Sequence, residues 1–315
     1  MVCHNCQLLA KKFGKDRRGN QRYYCATCAK TFSAPREKPL ENMYLPMDRA
    51  LLCLHLLVEG NSIASATRVS GVDKGTILSL LKVAGQRCLR LMDERVKGVK
   101  VKYVEADEIW GFVQKKERRK KTEEANNPYI GDAYTFVGIE ATSKLILCFE
   151  LGRRDEPTAL AFMEKLQRAT DGRFQLTTDG LLAYIDAVET VFGADIDFAQ
   201  LVKSYVSDTA GPAERRYSPG DFISAVKTVI MGQPNKKSIC TSYVERQNLT
   251  MRMAIRRLTR LTNAFSKKWE NLKLALVLHF AYYNFCRVHQ TLRCTPAMDA
   301  GITDHIWNLG ELLAN

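Results

Sequence analysis

Long apolar runs are missing from this chain. The longest, Leu274 to Tyr283, is broken by His279 and falls well short of the roughly 20 residues a transmembrane helix needs. The opening MVCHNC has none of the apolar core of a secretory signal. No segment repeats at a fixed period and none is of low complexity, which excludes solenoid and fibrous classes. Acidic side chains are scarce beside basic ones: 34 Asp and Glu stand against 47 Lys and Arg, a net charge of +13 over 315 residues. That imbalance disfavours a cationic partner and favours a polyanion, with nucleic acid ahead of a membrane surface. The expectation is a soluble cytoplasmic protein with no membrane partner, long enough for two or three domains.

The charge is uneven. Residues 1–40 hold nine Lys and Arg against Asp16 and Glu37, so +7 of the +13 sits there. The same stretch carries Cys3, Cys6, Cys25 and Cys28, spaced C-x2-C-x18-C-x2-C. Each C-x2-C pair aims two sulfurs at one metal, and the spacing is that of a four-thiolate Zn²⁺ site. Residues 1–36 therefore read as a zinc ribbon, a module with almost no core whose folding free energy comes from its metal. Disulfides are the competing reading, and a reducing cytoplasm argues against them. Lys11, Lys12, Lys15, Arg17, Arg18 and Arg22 form a candidate phosphate footprint, most simply on DNA. The other six cysteines are scattered and read as packing residues.

Residues 47–97 read as a helix-turn-helix. A leucine-rich helix stops at Gly60, Asn61 or Ser62 caps a short helix, Gly71 makes a turn, and Asp73 caps a longer helix. In a DNA-binding helix-turn-helix the leading residues of that last helix, Lys74, Thr76 and Ser79, face base edges. An ordinary helical bundle has the same spacing, and the basic zinc module next door favours the DNA-binding reading.

From residue 98 to 315 the pattern changes to strands. Val99 to Ile109 alternates as a strand with Asp107 at its end, and two further strands are expected at 134–141 and 145–151. A helix opens at Pro157, a strand over 174–178 delivers Asp179, and a helix (181–192) and a strand (197–202) follow. Residues 203–241 look irregular and read as an insertion. Two helices then come, the first carrying Glu245 and the second running from Lys267 to about Arg287. This order of elements is that of a ribonuclease-H-like domain, so the fold class expected is multidomain α/β: zinc ribbon, helix-turn-helix, and a mixed sheet flanked by helices. In that topology the first and fourth strands are neighbours, which places Asp107 beside Asp179. Glu245 on the next helix completes a carboxylate set able to hold two Mg²⁺ about 3.5–4 Å apart.

The Glu245 segment, TSYVERQNLTMRMAIRRLTR, is amphipathic if helical throughout. At about 100° per residue Arg252, Arg256 and Arg260 fall within about 60° of Glu245, opposite Val244, Met251, Ala254, Ile255 and Leu258. Arginines holding phosphates around one carboxylate suit a metal-assisted phosphate site, with Arg252 and Arg256 nearest. From this segment alone a solvated charged face is the favoured reading.

Taken together, CHNC…CATC, EADEIWGFV, TTDG, SYVERQNLTMR and YYNFCRVHQTLRCTPAM resemble a bacterial DDE transposase of the insertion sequence one family, and the resemblance spans nearly the whole chain. It implies Asp107, Asp179 and Glu245 as the Mg²⁺ (or Mn²⁺) triad; strand alternation sends the adjacent Glu108 to the other face, behind the triad. It also implies double-stranded DNA as partner, both transposon ends and target, a homo-oligomer in the active complex, and a nucleoid-associated prokaryotic protein. One departure is that 65 residues lie between Asp179 and Glu245, more than in the family's best-known members. Two other classes share part of the pattern: a sequence-specific DNA-binding regulator with an inert catalytic domain, and a metal-dependent nuclease without strand transfer.

Overall fold

Two compact units, residues 1–42 and 43–313, make up the chain in a computed structural model that describes residues 1–16, 19–33, 40–41, 43–205 and 222–314. The first unit is a three-stranded antiparallel meander of β1 (Lys11–Lys15), β2 (Gln21–Cys25) and β3 (Lys30–Ser33). Every residue of β1 is exposed. Its packing includes Tyr23 stacked on Phe32, centroids 5.9 Å apart, His4 edge-on to Phe32 at 5.2 Å, and Phe13 against Tyr24 at 5.6 Å. Ala34 to Pro39, where the ribbon was expected to end, lies outside the described residues.

The second unit opens with α1 (Met47–Val58), α2 (Ile63–Ser70) and α3 (Lys74–Arg95). The caps are chemical ones. Ser62 Oγ accepts from Ser65 N at 3.0 Å, Gly71 ends α2 at φ +68°, and Asp73 Oδ1 accepts from Gly75 N at 2.7 Å. Downstream follow β4 (Val99–Lys100), β5 (Tyr103–Val113), β6 (Gly131–Glu140), β7 (Ile146–Gly152), α4 (Glu156–Ala169) and β8 (Thr170–Asp171). Then come β9 (Gln175–Thr178), α5 (Ala183–Phe192), β10 (Asp197–Tyr205) and β11 (Phe222–Met231). The last helices are α6 (Ser242–Ala254), α7 (Trp269–Phe285), α8 (Pro296–Asp299) and α9 (Leu309–Ala314). Among the described residues no helix is long and apolar enough to cross a membrane.

The main sheet has the order β11-β10-β9-β5-β6-β7. β5, β6 and β7 form an antiparallel meander; β9 lies parallel to β5, β10 parallel to β9, and β11 antiparallel at the edge. Apart from β11, this is the ribonuclease-H-like order expected from the chain. Period-2 alternation sorts the side chains of β5 between two helical layers. Glu108 faces the layer of α4 and α5, where Phe136, Phe162 and Tyr184 pack together; Asp107 faces α6. On the α6 side α7 covers β7, with Phe149 and Phe280 at 4.9 Å and buried Asn284 bonded to both Ile146 N and Ile146 O. α3 lies on α7, and the approach is close: a Cβ on Gly85 would sit 2.7 Å from Leu274 Cβ. The three N-terminal helices are thus packed into the same unit as the sheet.

Three expectations are corrected. The first strand breaks at Val101–Lys102 into β4 and β5, and β5 continues to Val113, so Asp107 is mid-strand. It continues because β6 pairs with it as far as Val113↔Gly131 and because Ile109 and Val113 are buried. The stretch 203–241 is not wholly irregular: β10 runs to Tyr205 and β11 pairs back along it, Lys203↔Ala225 among the partners. Residues 206–221 lie outside the described ones. The Glu245 helix ends at Ala254 rather than near residue 260. Ile255 turns extended (φ −105°, ψ 94°), Thr259 Oγ1 donates to Arg252 O at 2.9 Å, and residues 256–258 form a separate 3-10 turn.

Candidate active site

The pairing of β5 with β9 builds the site. Ala106 lies opposite Thr178 in parallel register, so the chain leaving β9 places Asp179 level with Asp107. Asp107, Glu108 and Asp179 each offer a carboxylate oxygen, and these oxygens lie within 4.8 Å of one another. Asp107 is held on both sides: Oδ1 accepts from Glu108 N at 2.8 Å and Oδ2 from Asn248 Nδ2 at 2.8 Å. Asp179 Oδ1 accepts from Leu181 N at 3.0 Å, a tight turn that leaves Oδ2 free of backbone. Arg154 reaches that oxygen at 3.5 Å while its Nε donates to Glu108 Oε1 at 2.5 Å. Tyr184 OH donates to the other Glu108 oxygen at 3.2 Å.

Glu245 stands outside that group, in the first turn of α6. Its Oε1 accepts from Lys203 Nζ at 2.5 Å and from Thr241 Oγ1 at 2.6 Å. It is near enough for its charge to act on Asp107. Asn248, one helical turn on, presents the amide that meets Asp107. The start of α6 is fixed by another carboxylate on the same face of β5: Glu105 Oε2 accepts from Tyr243 N at 2.8 Å and Val244 N at 3.0 Å. These are the orphan amides of a helix N-terminus, satisfied across the fold.

Crowding of carboxylates has an electrostatic consequence. Asp107 is pushed up to about 7, first by burial and then by the charges of Glu108, Asp179 and Glu245. Burial also raises Glu108, helped by Asp179 and opposed by Arg154. Glu105 is pushed up to about 7 by burial, against the α6 amides. A site that resists holding its full negative charge is one that a cation relieves. The donor set, carboxylate oxygens plus an amide, suits a hard divalent ion.

The remaining expected residues fall in several places. The Sγ atoms of Cys3, Cys6, Cys25 and Cys28 lie within 4.8 Å of one another, Cys6 and Cys25 at 3.4 Å. Thiolates on one tetrahedral ion are separated by about 3.8 Å, so the set can hold a metal. The residue after each pair, Gln7 (φ +59°) and Ala29 (φ +52°), takes the left-handed conformation, giving two matching turns. Lys11 and Lys12 are exposed on β1; Arg17 and Arg18 lie outside the described residues. Lys74 is exposed and Thr76 half-buried in the first turn of α3. The Arg252 guanidinium donates to Leu258 O (3.1 Å) and Trp110 O (3.5 Å), and burial lowers its pKa to about 10. Arg256 lies beyond the end of α6, so the shared face with Glu245 does not exist for it.

Sequence reasoning missed Glu105, Asn248, Arg154 and Lys203. For the first two a signal was present: Glu105 is two residues before Asp107 on a strand, and Asn248 is three after Glu245 on a helix. Arg154 and Lys203 arrive from distant segments, and no local pattern marks them.

No family model matches the chain, and no curated protein does. Among solved structures, the chain is similar to endonuclease V of Bacillus subtilis (13% identity, 65% of this chain and 90% of that one covered, TM-score 0.24). It is also similar to the Mos1 strand transfer complex (12% identity, 77% and 79% covered, TM-score 0.19).

The pKa of Asp107 gives a sign for pH dependence. With divalent ions chelated, the folded chain keeps a proton on Asp107 that the unfolded chain releases near its ordinary 3.8. The folded state then binds more protons between about pH 4 and 7, and stability falls as pH rises through that window. Glu105 acts in the same direction. Thermal unfolding in chelator from pH 4 to 8 is expected to show Tm falling with pH, and falling less for Asp107→Asn. Parallel curves for the two proteins contradict this.

Proposed function

We propose that this chain is a DDE transposase similar to those of the insertion sequence one family, which binds the ends of its element and cleaves and joins DNA strands. The observation that carries the reading is the β5–β9 register, which sets Asp107 and Asp179 side by side with Glu108 against them. Regulatory DNA binding has no use for three carboxylates pressed together in this way.

Asp107 and Asp179 would hold Mg²⁺ or Mn²⁺, with Glu108 and Glu245 the carboxylates available to complete the set. Bound divalent metal supplies at such a site activation of the attacking water or 3′-hydroxyl and stabilisation of the leaving 3′-oxygen. The chain's own contribution is positioning. Asn248 and the Glu108 amide fix the Asp107 carboxylate, and the Leu181 amide fixes Asp179. Arg154 pairs with Glu108 and Asp179 and Lys203 with Glu245, and both would yield where a metal takes those oxygens. In the N-terminal unit the four thiolates suit Zn²⁺. DNA contact is assigned to Lys11, Lys12, Arg17 and Arg18 there, and to Lys74 and Thr76 at the head of α3. Arg252 is assigned to a DNA phosphate as well. A homo-oligomer in the active complex completes the reading.

The test is an end-cleavage and joining assay with Mg²⁺ on DNA carrying the element's terminal repeats. Asp107→Asn and Asp179→Asn are expected to drop both steps to background while duplex binding is kept. Comparing Glu108→Gln with Glu245→Gln identifies the third ligand as the one whose loss does the same. Cleavage without joining points instead to a nuclease; duplex binding with neither step points to a regulator. For the N-terminal unit, about one Zn²⁺ per chain is expected under reducing conditions, lost in Cys25→Ser together with the structure of residues 1–33. Protein that is folded there and zinc-free contradicts the assignment.

A further inference from the structure

On the flank of α6 turned away from Asp107 lies a cleft of about 480 Å³. Segments distant in sequence build it: Lys144 from the turn between β6 and β7, residues of α6, and the stretch Arg287 to Thr291 after α7. Four of its lining side chains can carry positive charge, Lys144, Arg246, Arg287 and His289, and no Asp or Glu lines it. The other lining residues are neutral, and only Ile139 and Val288 among them lack a polar side-chain group. Arg246 and Arg287 are exposed, so a ligand can touch them. The stretch after α7 is a closed loop: His289 N donates to Cys294 O at 2.9 Å and Arg293 N to His289 O at 2.8 Å. Lys144 Nζ sits over the Tyr243 ring, 3.2 Å from its centroid.

Like charges held together make each other harder to ionise. Burial, then the charges of Lys144 and Arg287, lower the pKa of His289. Glu140, Glu105 and Asp299 act on Lys144 from outside the cleft. Glu140 Oε2 is already taken by Thr142 N and Ser143 N, and Glu105 Oε2 by the first amides of α6. Among the described residues none of the four cations forms an ion pair with a carboxylate. Such a lining selects an anion. Small-molecule pockets are mostly apolar; this one is mostly polar, with two arginines at the surface, which suits a polyanion lying across it. Guanidinium groups match phosphate oxygens in particular. At about 100° per residue, Tyr243, Arg246, Gln247 and Thr250 fall between about 100° and 200° from Glu245, whereas Asn248 and Arg252 stay within about 60° of it. One helix is thus the wall between the carboxylates and the cations. Its width, about 10 Å, equals roughly three nucleotide steps of a strand, so one duplex can engage both flanks.

We infer that this cleft holds the phosphate backbone of the DNA processed at the carboxylates, with Arg246, Arg287, Lys144 and His289 as phosphate ligands. The inference rests on the transposase reading for its ligand and adds a contact surface on the other side of α6. A free phosphate compound shares the chemistry, and the experiment separates the two.

The test uses the full-length protein and a fluorescent duplex carrying the element's terminal repeats, titrated without added Mg²⁺ across about 50–200 mM salt. Arg246→Gln and Arg287→Gln are each expected to lower the magnitude of the slope of log K against log salt by about one, and the double variant by about two. Arg168→Gln makes the same charge change at an exposed position of α4, across the sheet, and is expected to leave the slope as in the wild type. Unchanged slopes for both Arg246→Gln and Arg287→Gln overturn the inference. Should calorimetry with inorganic phosphate then show binding that both variants lose, the cleft takes a free phosphate compound instead. A slope lowered equally by Arg168→Gln assigns the effect to net charge and overturns the inference as well. Cleavage and joining beside unchanged slopes leave the transposase reading intact, whereas lowered slopes in a protein that never cleaves keep the cleft and remove that reading. A wild type that binds no duplex overturns both.

Discussion

The parallel register of β5 and β9 is the constraint on which the rest of the site depends. With Ala106 opposite Thr178, Asp179 emerges from the sheet beside Asp107, and a slip of one residue would send one of the two to the opposite face. Register is held by burial: all four residues of β9 are buried, and Val104, Ala106 and Ile109 of β5 are too. The same strand fixes the helix that completes the arrangement, because Glu105 accepts the first amides of α6 and Asn248 of α6 returns a hydrogen bond to Asp107. Strand, strand end and helix are thus tied through two carboxylates two residues apart.

Those ties leave the site electrostatically unsatisfied. The carboxylates of Asp107, Glu108 and Asp179 crowd together, and burial with that crowding raises Asp107 and Glu108. Arg154 spans Glu108 and Asp179, and Lys203 takes Glu245. The pairs with the half-exposed Asp179 and Glu245 are worth little by themselves, whereas Glu108 is buried beneath Arg154. Their effect is to offset part of the negative charge gathered at these oxygens. Lys203 comes from β10, inside the long connection between Asp179 and Glu245, so that connection reaches the site directly.

Much of this was legible in the chain. The C-x2-C pairs, the caps at Ser62, Gly71 and Asp73, and the strand–helix order each follow from local chemistry. So does the adjacency of Asp107 and Asp179, which needs only the topology. What failed were properties set by tertiary contact. β11 was missed because its face is solvent-exposed and lacks the alternation that marks a half-buried strand, although Ile223, Val226, Thr228 and Val229 are strand formers. The wheel carried the Glu245 helix past Ala254 because its periodicity continues in sequence. The fold stops it there, with Gly60 packed so close that a Cβ would lie 2.4 Å from Met253 O. Arg256 consequently lines a cavity beside α3. Glu108 was assigned to the other face of the strand, and its contacts with Tyr184 agree; two adjacent carboxylates still converge at one point, which alternation alone does not reveal.

The account stands on the claim that the β5–β9 junction is a divalent-metal site. Its most direct test is Mn²⁺ binding to the full chain, followed by the electron paramagnetic resonance of free Mn²⁺ in the absence of DNA; the four thiolates do not compete, since they prefer softer ions. The prediction is saturable binding that is lost in both Asp107→Asn and Asp179→Asn. Binding that survives either substitution unchanged would contradict it.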